Sequence, residues 1–195
     1  ATTYGIYIDS AAANNRFSGD TVNMSGSTAS IYVAANNITL DHVTVDLAAW
    51  TGIDATGNNF TLQHSTVSNA RSNLWGLSVT PSAVGGATVY NNTFSNNTGN
   101  LRAANSILTD NTFIGDGTYG QQATQFNSNN VMTGGSITGG MGYTFEAQGQ
   151  SNNLVANVTL NDVTLHMNAG GTSSNNTFIN VTGFNHSRTQ SNSAQ

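Results

Sequence analysis

Apolar and polar residues alternate in short runs along the chain, and these runs return at a nearly constant interval. Segments 36–46 and 58–68 carry the same pattern 22 positions apart. Self-similarity at a period of roughly 20 to 50 residues is typical of repeat proteins. Within each run the alternation has a period of two, which predicts short β-strands and not helices.

The apolar residues form three columns. The first contains Phe17, Leu40, Leu62, Val89, Leu108, Met132, Val155 and Phe178. The second lies five residues later and contains Val22, Val45, Val67, Phe94, Phe113, Ile137 and Leu160. The third contains Ile8, Ile31, Ile53, Leu77, Leu101, Ala123, Phe145 and Met167. Together they predict an all-β solenoid of about eight coils, with about 23 residues per coil and three parallel sheets.

Asparagine precedes the first apolar column by three residues in nearly every coil. The members are Asn14, Asn37, Asn59, Asn105, Asn129, Asn152 and Asn175, with Gly86 as the exception. Asparagine tolerates the left-handed backbone region, so it suits a tight corner between two strands. Stacked amides can also hydrogen-bond to one another. We therefore predict an asparagine ladder, and we expect it to be buried.

This ladder resembles that of the pectate-lyase-like right-handed parallel β-helix superfamily. The superfamily includes pectin-degrading lyases and hydrolases, alginate epimerases and lyases, and phage tailspikes. The resemblance covers roughly residues 4–184 and implies one right-handed β-helix domain across residues 1–195. It further implies a polysaccharide as partner and a location outside the cell, on the cell surface or on a virion surface.

The resemblance leaves the activity open, because one fold hosts many chemistries. The hydrolase motifs Asn-x-Asp, Asp-Asp, Gly-His-Gly and Arg-x-Lys are absent, as is the epimerase motif Asp-Pro-His-Glu. Whether the protein is an enzyme is therefore uncertain. If it is one, the resemblance implies a polysaccharide lyase, an epimerase or a glycoside hydrolase.

The ends of the chain depart from the superfamily's pattern. No amphipathic capping helix precedes Ile6, and residues 185–195 read as a polar C-terminal tail. Uncapped solenoid ends invite strand addition. We therefore expect a segment of a longer protein, with flanking domains over the ends, or a homo-oligomer such as a trimer.

Composition narrows the partners. Only 7% of the residues are charged, lysine is absent, and the net charge is −5, which disfavours nucleic acid and anionic membranes. No apolar run approaches the roughly 18 residues of a membrane span. The absence of cysteine excludes disulfides and thiolate metal sites in this sequence.

One outward line of side chains carries much of the chain's charge. It follows the third column by one residue and contains Asp9, Tyr32, Asp54, Ser78, Arg102, Thr124, Glu146 and Asn168. Arg102 would lie two coils, about 9 to 10 Å, from both Asp54 and Glu146, so an acidic sugar could bridge them.

Asp9, Asp54, Arg102 and Glu146 are the candidate catalytic residues. Of the carboxylate pairs, only Asp9 and Asp54 would reach the upper edge of the inverting glycosidase range, because Asp54 and Glu146 would be about 19 Å apart. The alternative is an ordinary solvated sheet face with screened charges.

Aromatic residues accompany this line. Trp75 and Tyr143 both lie two residues before the third column, and Trp50 lies in the equivalent connection one coil earlier. Exposed rings are good platforms for sugar faces, so we predict that Trp50, Trp75, Tyr143, Tyr32 and Arg102 bind the substrate. The longest step between coils, which contains Trp75 and the run 80–86, could carry an inserted binding loop. Aromatic residues in connections can equally cover a core.

A second outward line places His42 on His64, followed by Asn91 and Asp110. Two histidines with a nearby carboxylate could hold a metal ion or act as a general base, so His42, His64 and Asp110 are candidate metal ligands. Calcium is a further candidate cofactor. The alternative is a solvent-facing remnant of a duplicated coil.

A hydroxyl ladder runs beside the histidines. It contains Thr21, Thr44, Thr66, Thr93, Thr112, Ser136, Thr159 and Thr182. Three functional hypotheses remain: a polysaccharide-engaging β-helix, a non-catalytic structural or adhesive surface solenoid, and an ice-binding solenoid. The last lacks the usual Thr-x-Thr pattern in each coil.

Overall fold

The structure is a computed structural model that describes residues 4–23, 28–71, 75–116, 124–139, 143–146, 151–162, 164–168, 175–183 and 187–191. Strands β1 to β24 are numbered in chain order, and none of the described residues forms a helix. The strands form three sheets, which we name A, B and C.

The three sheets are built from successive strands of the chain. Sheet A contains β1 (Tyr4–Ile8), β4 (Ala29–Val33), β7 (Thr51–Ala55), β10 (Trp75–Val79), β13 (Gly99–Ala103), β16 (Thr124–Phe126), β19 (Tyr143–Glu146), β22 (Thr164–Asn168) and β24 (Ser187–Ser191). Sheet B contains β2 (Arg16–Ser18), β5 (Thr39–Asp41), β8 (Phe60–Gln63), β11 (Ala87–Tyr90), β14 (Ser106–Thr109), β17 (Val131–Thr133), β20 (Leu154–Ala156) and β23 (Thr177–Ile179). Sheet C contains β3 (Thr21–Val22), β6 (Thr44–Val45), β9 (Thr66–Ser68), β12 (Thr93–Asn97), β15 (Thr112–Asp116), β18 (Ser136–Thr138) and β21 (Thr159–Asn161).

The chain visits sheets A, B and C in turn, and each strand pairs in parallel with the equivalent strand of the next coil, as β5 does with β8. The protein is therefore a three-sheet parallel β-solenoid. This confirms the predicted all-β architecture with about 23 residues per coil.

The first two apolar columns are confirmed by the strand register. Leu40 pairs with Leu62 in sheet B, and Val45 pairs with Val67 in sheet C. Leu62 and Phe94 are completely buried, and Phe94 stacks on Phe113 with ring centroids 5.0 Å apart. The core is thus a continuous apolar ladder enclosed by the three sheets.

The third column is wrong at three positions. Ile31 pairs with Ile6 and not Ile8, Leu101 pairs with Thr124 and not Ala123, and Phe145 pairs with Leu165 and not Met167. Ala123 itself lies outside the described residues. The slip is two positions at Ile8 and Met167, where the apolar pattern stays almost unchanged because side chains two residues apart on a strand share a face. At Ala123 the slip is one position.

The predicted asparagine corner is confirmed, but it lies at the surface. Asn37 and Asn59 adopt φ of 58° and 55°, in the left-handed region. The Asn37 amide donates to Asn14 Oδ1 over 2.8 Å, and the Asn59 amide donates to Asn37 Oδ1 over 2.8 Å. The expectation that this ladder is buried is wrong for Asn14, Asn37 and Asn59, which are exposed because the corner directs these side chains outward.

A second asparagine ladder, one residue later, is the more buried one. The Asn130 amide donates to Asn153 Oδ1 over 3.0 Å, and the Asn153 amide donates to Asn176 Oδ1 over 3.0 Å. Asn130 is fully buried. These amides satisfy backbone groups at the corner that water cannot reach, since Asn153 Oδ1 also accepts from the Asn130 backbone N–H.

Two further corners also use left-handed residues. The corner between sheets B and C contains Gly19, His42, His64, Asn91, Asp110, Gly134, Asn157 and Asn180. The second column follows the second apolar column by two residues, at or just beyond the ends of the sheet C strands, and contains Leu47, Asn69, Asn96, Gly115, Gly139 and Asp162. Glycine, asparagine and aspartate dominate both columns because they adopt positive φ at low cost. The exceptions are histidine in two successive coils of the first column and Leu47 in the second.

The long loop 80–86 replaces the missing asparagine of the outer ladder. The Ala83 backbone N–H donates to Asn58 Oδ1 over 2.9 Å, and the Asn105 amide donates to the Pro81 carbonyl over 2.8 Å. The insertion therefore continues the hydrogen bonding of the corner between sheets A and B.

Segment 187–191, which the sequence assigned to a polar tail, forms β24 and pairs with β22 in sheet A. Phe17 and Phe178, in the first and last described strands of sheet B, are only partly buried, whereas the members of their column between them are fully buried. Among the described residues there is no helix with the length and apolar character needed to cross a membrane.

Candidate functional site

Two outer regions of the solenoid contain most of the candidate chemistry. The first, the sheet A face, consists of the outward side chains Tyr7, Tyr32, Asp54, Ser78 and Arg102. The second, the corner cluster, consists of Arg16, Asp41, His42 and His64 between sheets B and C.

The strand register brings most of the predicted line together on the sheet A face. Tyr32 pairs with Asp54, Asp54 with Ser78, and Ser78 with Arg102. The line continues from Arg102 through Gln125 to Glu146. Asp54 and Glu146 are therefore each two strands from Arg102, as predicted.

The prediction was wrong for Asp9 and Thr124. Tyr7, not Asp9, pairs with Tyr32, and Gln125, not the fully buried Thr124, pairs with Arg102. Both errors follow from the slips in the third apolar column.

Asp9 lies beyond the end of β1, in a turn. Its carboxylate accepts a hydrogen bond from the Ala11 backbone N–H over 3.0 Å. Asp9 is therefore not aligned with Asp54 across two coils. The alignment that suggested an inverting pair of carboxylates is lost.

Three tyrosines cluster at one end of the sheet A face. The ring centroid of Tyr4 lies 5.3 Å from that of Tyr7 and 4.9 Å from that of Tyr32, while Tyr7 and Tyr32 stack at 5.5 Å with an interplanar angle of 2°. Tyr7 is 51% exposed. Its pKa is raised, first by partial burial and then by the Asp9 carboxylate. The stacked rings form a flat platform beside Asp54.

Asp54 pairs with Tyr32 of this platform across the strands, and it is half-buried. Desolvation raises its pKa, and a hydrogen bond with the Ser78 side chain and the charge of Arg102 oppose that rise only in part. Arg102 is exposed and forms no ion pair with any described residue. The sheet A face thus presents aromatic rings, a carboxylate of raised pKa and an available guanidinium in one line.

The other predicted aromatic residues lie at strand ends. Trp75 begins β10 and is half-buried. Leu77 pairs with Ile53, which aligns Trp75 with Thr51, so Trp50 is displaced by one residue and is 44% exposed. Tyr143 and Glu146 begin and end β19, and their side chains lie outside the described part of the structure.

The corner cluster forms where strand β5 ends and the chain turns toward sheet C. Asp41 is the last residue of β5, and His42 follows it with φ of 52°. His64 occupies the same corner one coil later with φ of 51°. The predicted stacking of His42 on His64 is confirmed, with ring centroids 4.9 Å apart.

A single buried carboxylate joins these side chains. The Oδ1 atom of Asp41 lies 2.9 Å from His42 Nδ1 and 3.0 Å from His64 Nδ1. The Arg16 guanidinium donates to the other oxygen, Oδ2. The Asp41 side chain is 3% exposed, while those of His42 and His64 are 65% and 33% exposed. The carboxylate is therefore covered by the three side chains that bind it.

The electrostatics of the corner cluster keep Asp41 ionised. The hydrogen bond from His64 is the largest cause that holds the pKa of Asp41 well below its ordinary value. Arg16 and Gln63 act in the same direction, and together they outweigh the opposing effect of desolvation. The rings of His64 and Tyr90 pack edge to face, with their centroids 5.5 Å apart.

Sequence reasoning found the two histidines but missed Arg16 and Asp41. Among the described residues, Asp41, His42 and His64 form a group of possible metal ligands. One carboxylate oxygen of Asp41 and one ring nitrogen of each histidine lie within 4.8 Å of one another. Asp110, which we had predicted as the carboxylate ligand, lies two coils beyond His64 and is not part of this group. A Cβ atom at Gly134 would lie 2.1 Å from Asp110 Oδ1, so the Asp110 carboxylate packs against that glycine.

Asp41 could have been found in the sequence from one contrast. Segments 36–46 and 58–68 share their pattern, yet the residue before the histidine is aspartate in the first and glutamine in the second.

The comparisons with known proteins add no family to this picture. No protein-family model matches the chain, and no curated protein matches it. The class of the protein is therefore defined by its fold, a parallel three-sheet β-solenoid with stacked asparagine amides.

Proposed function

We propose that this solenoid binds an acidic polysaccharide along the sheet A face, and that it does so outside the cell, on a cell surface or a virion surface. The observation that carries the proposal is the unbroken register from Tyr32 through Asp54 and Ser78 to Arg102. Neighbouring strands are about 4.8 Å apart, so this line extends over about 14 Å, long enough to contact an oligosaccharide.

The chemistry of the line suits an acidic sugar. The stacked Tyr7 and Tyr32 rings offer an apolar surface for the face of a sugar ring, and their hydroxyls offer hydrogen bonds. The Arg102 guanidinium can hold a sugar carboxylate with two parallel charged hydrogen bonds. Because the chain's net charge is −5, this local positive charge would select where the polymer carboxylate binds.

Any catalysis at this face would centre on Asp54. Its raised pKa makes it the carboxyl of this line best suited to move a proton. A lyase, an epimerase and a hydrolase each require such a group, and binding alone requires none. Incubating the protein with acidic polysaccharides and measuring both unsaturated products and new reducing ends separates these activities.

The binding proposal is tested by replacing Arg102. An array of acidic and neutral glycans first selects a ligand, and Arg102→Ala should weaken its binding at least about tenfold, equivalent to about 1.4 kcal/mol. Arg102→Lys should recover part of the affinity, because it restores the charge without the planar fork. The melting temperature should stay unchanged.

Arg71→Ala is the matched control. Arg71 is also exposed, but it follows β9 of sheet C, its charge acts on Asp46, and it is not part of the paired line from Tyr32 to Arg102. Its replacement should leave glycan binding intact. If the Arg102 variant instead loses stability and keeps its affinity, or if the wild-type protein binds no acidic glycan, the proposal fails.

The hydroxyl ladder supports a second candidate function, binding to ice. Its register is continuous, with Thr44 on Thr66, Thr66 on Thr93 and Thr93 on Thr112. A regular row of hydroxyls on a flat sheet could order water at an ice surface. Thermal hysteresis that is present in the wild type and lost in Thr66→Tyr would favour this function over polysaccharide binding.

The third candidate is a structural or adhesive solenoid. It needs no site beyond the low charge and the polar outer faces. Light scattering and electron microscopy would reveal the end-to-end fibres or trimers that it predicts, and a strictly monomeric protein would count against it.

A further inference from the structure

We propose that Asp41, His42 and His64 form a binding site for a divalent transition-metal ion of the zinc type. This site lies at the corner between sheets B and C, so it is separate from the polysaccharide face proposed on sheet A. It uses the residues of the corner cluster and leaves out Asp110.

The first argument is that these residues depart from the pattern of the other coils. The left-handed positions of this corner contain glycine, asparagine or aspartate in every other described coil, and histidine only at His42 and His64. The position of Asp41 on sheet B is filled by Ser18, Gln63, Tyr90 and Thr109 in the neighbouring coils. The corner does not need histidine to turn, because asparagine serves at Asn91.

The second argument is the spacing of the three donor atoms. Asp41 Oδ1 lies 2.9 Å from His42 Nδ1 and 3.0 Å from His64 Nδ1. With zinc–ligand bonds of about 2.0 to 2.2 Å, the ligand atoms of a tetrahedral site are about 3.3 Å apart. The observed separations are a few tenths of an ångström shorter. All three donor atoms lie within 4.8 Å of one another, and the mostly exposed His42 ring can rotate about its side-chain bonds to reach the tetrahedral separation.

The third argument is that the carboxylate is already fixed. Asp41 is buried, and Arg16 holds its Oδ2 atom, which leaves Oδ1 as the single oxygen facing the imidazoles. A metal ion bound through Nδ1 needs the lone pair of that nitrogen, so each neutral imidazole must carry its proton on Nε2. This requires only a change of tautomer and no change of charge.

The donor set also decides the class of ion. Two imidazole nitrogens and one carboxylate oxygen suit zinc and other first-row divalent ions, whereas calcium takes six to eight oxygen ligands. Three protein donors leave a fourth tetrahedral position open for water or another oxygen ligand. Calcium, a candidate cofactor from the sequence, does not fit this corner.

The test uses cobalt and zinc on the intact chain after removal of metals with a chelator. Cobalt(II) should bind with a stoichiometry of one per chain and give a visible absorption band of tetrahedral type, which zinc abolishes and millimolar calcium does not. Zinc should also raise the melting temperature, because it binds the folded state.

The variants are chosen so that the corner still folds. His42→Asn and His64→Asn each introduce the residue that Asn91 supplies at the same corner. Each should lower zinc affinity at least about tenfold, since even outer-shell changes cost 10- to 100-fold. The double variant should lose the cobalt band. Asp110→Asn, in the same column but outside the cluster, should bind zinc as the wild type does.

Two results would overturn the proposal. If the wild-type protein binds no zinc at millimolar concentration, the cluster has only a structural role, in which hydrogen bonds hold the Asp41 side chain in place. If the double variant binds zinc as tightly as the wild type, the ion is held elsewhere.

Discussion

Asp41 and Asp54 are outward-facing carboxylates on strands of adjacent coils, and their pKa values move in opposite directions. Asp41 is the more deeply buried of the two, yet its pKa is lowered, while the half-buried Asp54 has a raised pKa. Burial alone therefore does not set the direction. Asp41 receives hydrogen bonds from one guanidinium and two imidazoles, and Asp54 is paired with a single hydroxyl.

The difference follows from where the two residues lie in the coil. Asp41 is at a strand end, where the left-handed corners of His42 and His64 bring their rings over the preceding strand. Asp54 is the fourth residue of the five-residue strand β7, where its cross-strand neighbours are Tyr32 and Ser78. A corner can surround a carboxylate with donors, whereas a sheet face offers it only the residues above and below.

Substitutions in β8 give reference values for the stability changes expected at the two carboxylates. Leu62 is fully buried in β8, and Leu62→Ala should destabilise the protein by roughly 2 to 4 kcal/mol, because it leaves a cavity. Thr61→Ala, at the neighbouring half-buried position, should cost less than about 0.5 kcal/mol. Urea denaturation measures both. Equal losses would contradict the inward and outward assignment of this strand.

The second prediction compares the two carboxylates directly. Asp41→Asn should destabilise the protein by an amount between those of Leu62→Ala and Thr61→Ala, because Arg16 loses its charged acceptor. Asp54→Asn should be neutral or slightly stabilising near neutral pH, because it removes a charge whose desolvation in the folded state is unfavourable. Urea midpoints in a chelator-containing buffer test both variants. A larger loss from Asp54→Asn would reverse the comparison.

The third prediction concerns pH. The folded-state pKa of Asp41 is lowered, so its contribution is present above the unfolded pKa of about 3.9 and is lost as pH falls further. The folded-state pKa of Asp54 is raised, so its contribution is present below about 3.9 and is lost as pH rises through the folded value.

Urea midpoints between about pH 3 and 7 separate these effects. The deficit of Asp41→Asn relative to the wild type should shrink at the acidic end. The stability of the wild type relative to Asp54→Asn should be highest at that same acidic end and should fall as pH rises. Parallel stability curves for the wild type and both variants would show that neither carboxylate has a shifted pKa.

The prediction with the smallest expected effect distinguishes the contributions of His42 and His64 to the lowered pKa of Asp41. The hydrogen bond from His64 is the largest cause of the lowered Asp41 pKa, and His42 acts chiefly through its charge. His64→Asn should therefore raise the Asp41 pKa more than His42→Asn. Carboxyl carbon chemical shifts followed through a pH titration report this difference. The opposite order would assign the main contact to His42.

The sequence by itself determined the coil length, the first two apolar columns, one asparagine corner, the hydroxyl ladder and the stacking of His42 on His64. Each of these repeats at nearly the same interval, so neighbours in space can be found by adding one period to a residue number. The period also explains most of the sheet A face, including the line from Tyr32 to Arg102.

Only the tertiary structure decided the end of that line and the composition of the corner cluster. Tyr7 lies in β1 and Asp9 follows two residues later, just beyond the strand end. A shift of two preserves the alternation, so the pattern could not choose between them. Arg16 and His64 are 25 and 23 residues from Asp41, and they reach it from the coils on either side. No single period marks such a contact, because it depends on left-handed corners turning side chains back over a strand, and backbone angles are set by the folded coil.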